Sequence, residues 1–279
     1  MFKRLIIGVS LFWLTLFIFF PNLLVLIVSF LSRDNESLVT AHPTFENYLN
    51  ILDPIYLKVL ISSCSLAFIT TLLTLIIAFP FALILSRLPI KLRNLSLLLI
   101  IIPFWTSALV RTYCIKIILT TNGLLNQLLM KLSIISEPLD LLYTNGAVVM
   151  GLVYTLLPFM ILPLYAAMEK LDIRFIEAAR DLGAGYFNTL LRVIIPLSAP
   201  GIIAGALLVF LPALGLFYIP DILGGSKTLM LGNLIKNQFL DARNWPFGSA
   251  LSVVLTIIMG LLLALNYKTV RTAAKKGII

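Results

Sequence analysis

Charged side chains are scarce in this chain. Only 12% of its 279 residues are Asp, Glu, Lys or Arg, while 60% are hydrophobic. A soluble domain carries about a quarter charged residues. A water-facing surface cannot be assembled from this composition, which excludes a soluble enzyme, a disordered protein and a secreted disulfide scaffold. Cysteine is nearly absent. Cys64 and Cys114 stand apart, outside any CxxC-type spacing, and both read as small core residues rather than redox or metal groups. A single histidine, His42 beside Pro43, cannot build a metal cluster. No G-x-x-x-x-G-K-[ST] loop occurs, so the chain cannot hydrolyse ATP by itself.

What the chain does have is length of apolar sequence. Six runs lack any charged residue: 5–32, 59–86, 94–110, 141–168, 193–220 and 244–267. About 20 apolar residues cross a bilayer as helix, so six spans are expected, with both termini on one side. The first run follows Lys3 and Arg4 and has no small-residue cleavage site, and it reads as an uncleaved span. The third is the shortest. It extends through Tyr113 if Arg111 snorkels or lines a polar path. The runs contain no Asp or Glu, which argues against a stand-alone secondary transporter coupled through intramembrane acids and against a membrane-embedded enzyme.

The connecting segments set the orientation. One side collects 13 Lys and Arg against four acids, Glu169, Asp172, Glu177 and Asp181; the other has eight against eight. The basic side is expected to be cytoplasmic, with both termini in it. The net charge of +9 is explained by this partition, and a nucleic-acid partner is not required. The outer segment 116–131 spaces its apolar residues as a short surface helix would. Pro80, Pro103, Pro158, Pro163 and Pro212 fall deep in the runs. They either shape the helices or open a central path; their placement leaves both readings open. With no internal repeat, residues 1–279 read as one membrane domain.

One cytoplasmic loop is not generic. Residues 170–200 read KLDIRFIEAARDLGAGYFNTLLRVIIPLSAP. Asp172 can cap a helix. Phe175, Ala178, Ala179 and Leu182 form a stripe at helical spacing. Gly183 and Gly185 break the helix, and a second short helix from about Tyr186 to Val193 is expected to stop at Pro196. The result is an elbow of two short helices. It serves either as an amphipathic connector on anionic headgroups or as a docking knob for a cytoplasmic partner.

Glu177-Ala178-Ala179, then three residues, Gly183, nine residues and Val193-Ile194-Ile195-Pro196 resembles the EAA motif of ABC-importer permeases. The stretches 103–113, 157–165, 215–225 and 244–250 are similar to the spermidine/putrescine branch of that family, and the likeness extends over nearly the whole chain. The resemblance implies an all-α polytopic fold of the type I ABC-importer permease class, with the EAA coupling loop at 169–196. It also implies the partners: a second homologous permease, two ATPase subunits that bind the ATP and Mg, an extracytoplasmic polyamine-binding protein, and membrane lipid. No cofactor falls to this chain. Glu177, Ala178, Ala179 and Gly183 are then the ATPase-coupling residues, in an inner-membrane protein whose elbow moves when the ATPases close.

A polyamine is a flexible polycation, and its path should offer carboxylates and aromatic faces. Asp221, with Phe217 and Tyr218 just before it, and Trp105 in the third span are the candidates. Asp221 could equally be an interfacial loop acid, and Trp105 a member of an aromatic belt. Arg111 would oppose a cation, so an interfacial or structural role is expected for it. The alternative within the same class is an importer for another small solute, such as iron or a small organic anion.

Overall fold

The computed structural model describes residues 2–34 and 38–275, with side chains described for 6–34 and 38–264. Glu36 and Lys276, both in the charge partition, and the ends of the 1–279 domain lie outside the described residues. Backbone polar groups that enter lipid must be satisfied within the segment, which leaves helix as the form for long apolar runs. The elements follow accordingly. Helix α1 (Phe2–Leu14) continues through a widened π turn at Thr15–Phe19 into α2 (Phe20–Ser29). A short antiparallel ribbon, β1 (Leu31–Ser32) with β2 (Thr40–Pro43), departs from all-α. Then come α3 (Glu46–Ile51), α4 (Pro54–Arg87), α5 (Ile90–Ile101), α6 (Ala108–Leu119), α7 (Leu124–Lys131) and α8 (Asn145–Glu169). The remainder is α9 (Ile173–Asp181), α10 (Tyr186–Thr189), α11 (Ile195–Leu197), α12 (Ala199–Gly215), α13 (Leu231–Leu240) and α14 (Trp245–Lys275).

Four segments are long and apolar enough to cross a bilayer unbroken: Ile6–Ser29, Pro54–Arg87, Asn145–Glu169 and Trp245–Ala264. Two more qualify as bent pairs. Ile90–Trp105 meets Ala108–Lys131 at 92°, and Tyr186–Leu197 meets Ala199–Gly215 at 69°. Counting each bent pair once gives the six expected. The third span does not run on straight through Tyr113. Pro103 sits in a tight 3-10 turn (Ile102–Trp105) and Thr106 is extended, so Arg111 lies on the far arm of the bend. In the fifth, Pro196 does not stop the helix. A π turn at Leu190–Ile194 precedes it, and the helix runs on to Leu197 before bending at Ser198. Proline has no N–H to donate, and a widened turn before it accommodates that loss.

The chain folds as two compact units, 1–61 with 231–261, and 62–230 with 262–279. In the first, Asn47 is buried and its side-chain amide donates to the Ser29 and Leu31 carbonyls at 3.0 and 2.8 Å, fastening α3 to the end of α2. Ser29 Oγ and the Tyr48 hydroxyl are 2.7 Å apart. Ile51, Leu231, Leu234, Phe247, Ala250 and Leu251 form the core. The helix Ile6–Ser29 buries only Ser29 and is apolar on every face, as suits lipid or another membrane chain.

In the second unit α8 packs along α12. The sequence Gly201-Ile-Ile-Ala-Gly205 presents two glycines one turn apart, the small-xxx-small pattern that lets membrane helices approach closely. A Cβ on Gly201 would lie 2.6 Å from Ala167 Cβ and 2.8 Å from the Pro163 carbonyl oxygen. One on Gly205 would lie 2.6 Å from Met160 Sδ. At the Asn145 end of α8, the segment after α12 folds back onto the helix. Tyr143 N–H donates to the Leu223 carbonyl at 2.8 Å, and the Thr228 hydroxyl donates to Asn145 Oδ1 at 2.8 Å. Helix α7 is the short helix expected in the 116–131 segment.

Candidate functional site

The elbow is built as its residues dictate. Asp172 Oδ1 accepts the Arg174 backbone N–H at 3.0 Å and starts α9. The end is a Schellman turn. Gly183 has φ +81 and donates to the Arg180 carbonyl at 2.8 Å, while Ala184 N–H reaches the Ala179 carbonyl at 3.0 Å. A side chain at Gly183 would meet nothing within 4 Å, so backbone conformation alone requires glycine there. Gly185 is extended and opens α10.

This turn leaves an apolar tip. Leu182 is 89% exposed and Phe187 74%, and Phe175 and Ala178 on the same stripe are exposed as well. Ile176, which the sequence reading did not single out, is the buried residue that seats α9. It falls out of the stripe because its side chain points inward to a cavity of about 310 Å³ bounded by Leu83, Arg87, Arg180 and Tyr186. Glu177 lines the same cavity and makes no ion pair with Arg180 among the described residues. Ala179 is half-buried and occupies the turn's closing position.

The other four candidates do not gather in one place. Phe217 and Tyr218 meet edge to face, with ring centroids 6.2 Å apart. Asp221 follows inside a widened turn, Pro220–Gly224, and is half-buried. It does not end the fifth-span helix, which stops at Gly215. Trp105 is 80% exposed at the bend after α5 and stacks on no ring among the described residues. The Arg111 guanidinium sits 5.2 Å from the centre of the ring of Phe104, the neighbour of Trp105.

Residues 78–272 match the family described as binding-protein-dependent transport system inner membrane component. Across 264 residues the chain is 52% identical to the spermidine/putrescine transport system permease protein PotB of Escherichia coli (strain K12), covering 95% of this chain and 96% of that one. It is 50% identical to the PotB of Haemophilus influenzae over 275 residues, 99% of this chain and 96% of the relative. The fold matches a chain in the crystal structure of a bacterial alginate ABC transporter bound to its alginate pentasaccharide-loaded periplasmic protein. The TM-score is 0.79 and the identity 12%, covering 98% of this chain and 95% of that one.

Proposed function

The chain belongs to the binding-protein-dependent transport system inner membrane components, and from that premise we propose that it is a permease subunit of an ATP-driven importer for spermidine or putrescine. The observation that carries the substrate is identity of about one residue in two with PotB proteins over nearly the full chain. The family match supports a transport subunit, with hydrolysis falling to a separate ATPase.

The elbow is the coupling element. An exposed apolar tip held by a backbone-locked turn suits a protein groove better than a headgroup layer. The tip protrudes beyond the exposed stripe of Phe175 and Ala178, and Glu177 is exposed beside it for a charged contact across the interface. Glu177, Ala178, Ala179 and Gly183 transmit ATPase closure to α8 and α12 through Asp172 and Ser198, the two ends of the elbow. Both termini and the elbow face the cytoplasm, in keeping with the Lys and Arg excess on that side. A second permease completes the path, and an extracytoplasmic binding protein delivers the polyamine. Asp221, Tyr218, Phe217 and Trp105 supply carboxylate and ring contacts to the cation.

The test is uptake of labelled spermidine and putrescine by cells lacking their own import, with the chain expressed beside its operon neighbours. ATP-dependent uptake that Glu177→Lys abolishes, with the chain still in the membrane, supports both parts. An intact assembly that takes up no polyamine overturns the substrate; normal uptake by Glu177→Lys overturns the elbow.

A further inference from the structure

A cavity of about 210 Å³ opens between α4, α5 and α8, walled by Phe81, Leu99, Phe104, Tyr154 and Leu157, and Arg111 enters it from α6. Among the described residues Arg111 is the sole charged side chain on that wall. Its Nε is buried with no hydrogen-bond partner among the described residues, and its guanidinium sits 5.2 Å from the centre of the Phe104 ring. A guanidinium carries five donors. A buried donor left unsatisfied against this wall is costly to the isolated chain.

The depth of the cavity narrows what could complete it. Phe104, in the turn that follows α5, lies roughly 17 Å from Arg93 along the helix path, and Tyr154 and Pro158 lie roughly 14 and 20 Å along α8 from Asn145. In a hydrocarbon core about 30 Å thick, these distances place the cavity near mid-depth from either face. A lipid phosphate sits at the headgroups, too far away. A polyamine is repelled by the same charge. A second copy of this chain would bring the same arginine to the seam, charge against like charge.

We propose that Arg111 is one half of an intramembrane ion pair, and that the carboxylate is an Asp or Glu on a span of a second, non-identical permease chain that seats against this cavity. The pairing rests on the two-permease reading above and deepens it. It makes the association selective, since a like chain would bring arginine to arginine, and it gives Phe104 the task of holding the guanidinium in plane for its partner.

The experiment uses the whole transporter, expressed with its operon neighbours and recovered through a tag on this chain. The amount of second permease retained is read against the tagged chain in the membrane. Arg111→Asp should cut retention at least tenfold while the tagged chain stays in the membrane. One Asp→Arg or Glu→Arg change in a span of the second permease should then restore retention to within twofold. Retention unchanged in Arg111→Asp overturns the proposal and leaves Arg111 to water or lipid. Loss that no span swap restores also overturns it. If the unmutated chain retains no second permease, the proposal falls together with the two-permease reading. Failure of spermidine uptake alone touches only the substrate assignment.

Discussion

Arg93 Nη1 lies 2.9 Å from Glu169 Oε1, tying the first turn of α5 to the last residue of α8. Both belong to the same side in the charge partition, so the pair joins two helix ends that the sequence reading assigned to one face. The side chains are 24% and 39% exposed, and such a pair contributes roughly 1 kcal/mol. Arg93→Ala and Glu169→Ala should each lower thermal stability in detergent by about that amount. The exchange Arg93→Glu with Glu169→Arg should recover part of it. Tryptophan fluorescence on heating reads the difference, and an exchange no better than the worse single variant would argue that the pair is not coupled.

Gly201 and Gly205 should differ in tolerance. At Gly201 an added Cβ meets the Pro163 carbonyl, which cannot move without α8; at Gly205 the nearest atom is Met160 Sδ, the flexible part of a side chain. Overpacking of this kind costs about 1–3 kcal/mol. Gly201→Ala is expected to destabilise the protein by an amount near the top of that range, and Gly205→Ala near the bottom. Comparing midpoints of thermal unfolding for the two checks the order.

The elbow's tip and its turn are separable. Leu182→Asp should leave the fold intact, since the side chain touches little, yet weaken ATPase retention by about thirtyfold, the loss of one anchor worth about 2 kcal/mol. Gly183→Val should lose retention by another route, because a β-branched residue at φ +81 is strained by more than 1 kcal/mol or so. Gly183→Asn, which tolerates that conformation, should keep most of it. Co-purified ATPase per tagged chain is the readout. Equal behaviour of Asn and Val at 183 would remove the backbone from the argument.

Asn126 is buried, and its amide gathers the loop around α7. It donates to the Thr121 and Leu139 carbonyls at 3.1 and 2.9 Å and accepts from Leu139 N–H at 3.1 Å. Asn126→Ala strands those backbone groups, at about 1–3 kcal/mol. Protease added to the purified protein in detergent should cut the 132–140 segment several times faster in the variant, with thermal unfolding as a control for overall folding.

The spans were legible because lipid demands long charge-free helix, and 141–168 and 244–267 fall within a few residues of the observed helices. The elbow was legible through Asp172 and Gly183, whose roles are local. The bends were not. Thr106 and Ser198 carry no charge and break no run, and the turns at Pro103 and Pro196 depend on what their helices pack against. Nor did spacing separate Ile176, which seats α9, from Phe175 and Leu182, which face outward, since a nine-residue helix between the Asp172 cap and the Gly183 turn gives too few turns to fix a buried side. The isolation of Arg111 also needed coordinates, because nothing in the run 94–110 tells that Phe104 and Arg111 meet across a sharp bend.

The Schellman turn has a consequence for how such machines diversify. Two main-chain hydrogen bonds and one glycine hold the elbow's tip in place, and no side chain at the tip takes part in holding it. The residue displayed there is therefore free to vary without refolding the loop. On the coupling role proposed above, a change at position 182 alters what the tip offers a partner while the turn beneath it keeps its shape.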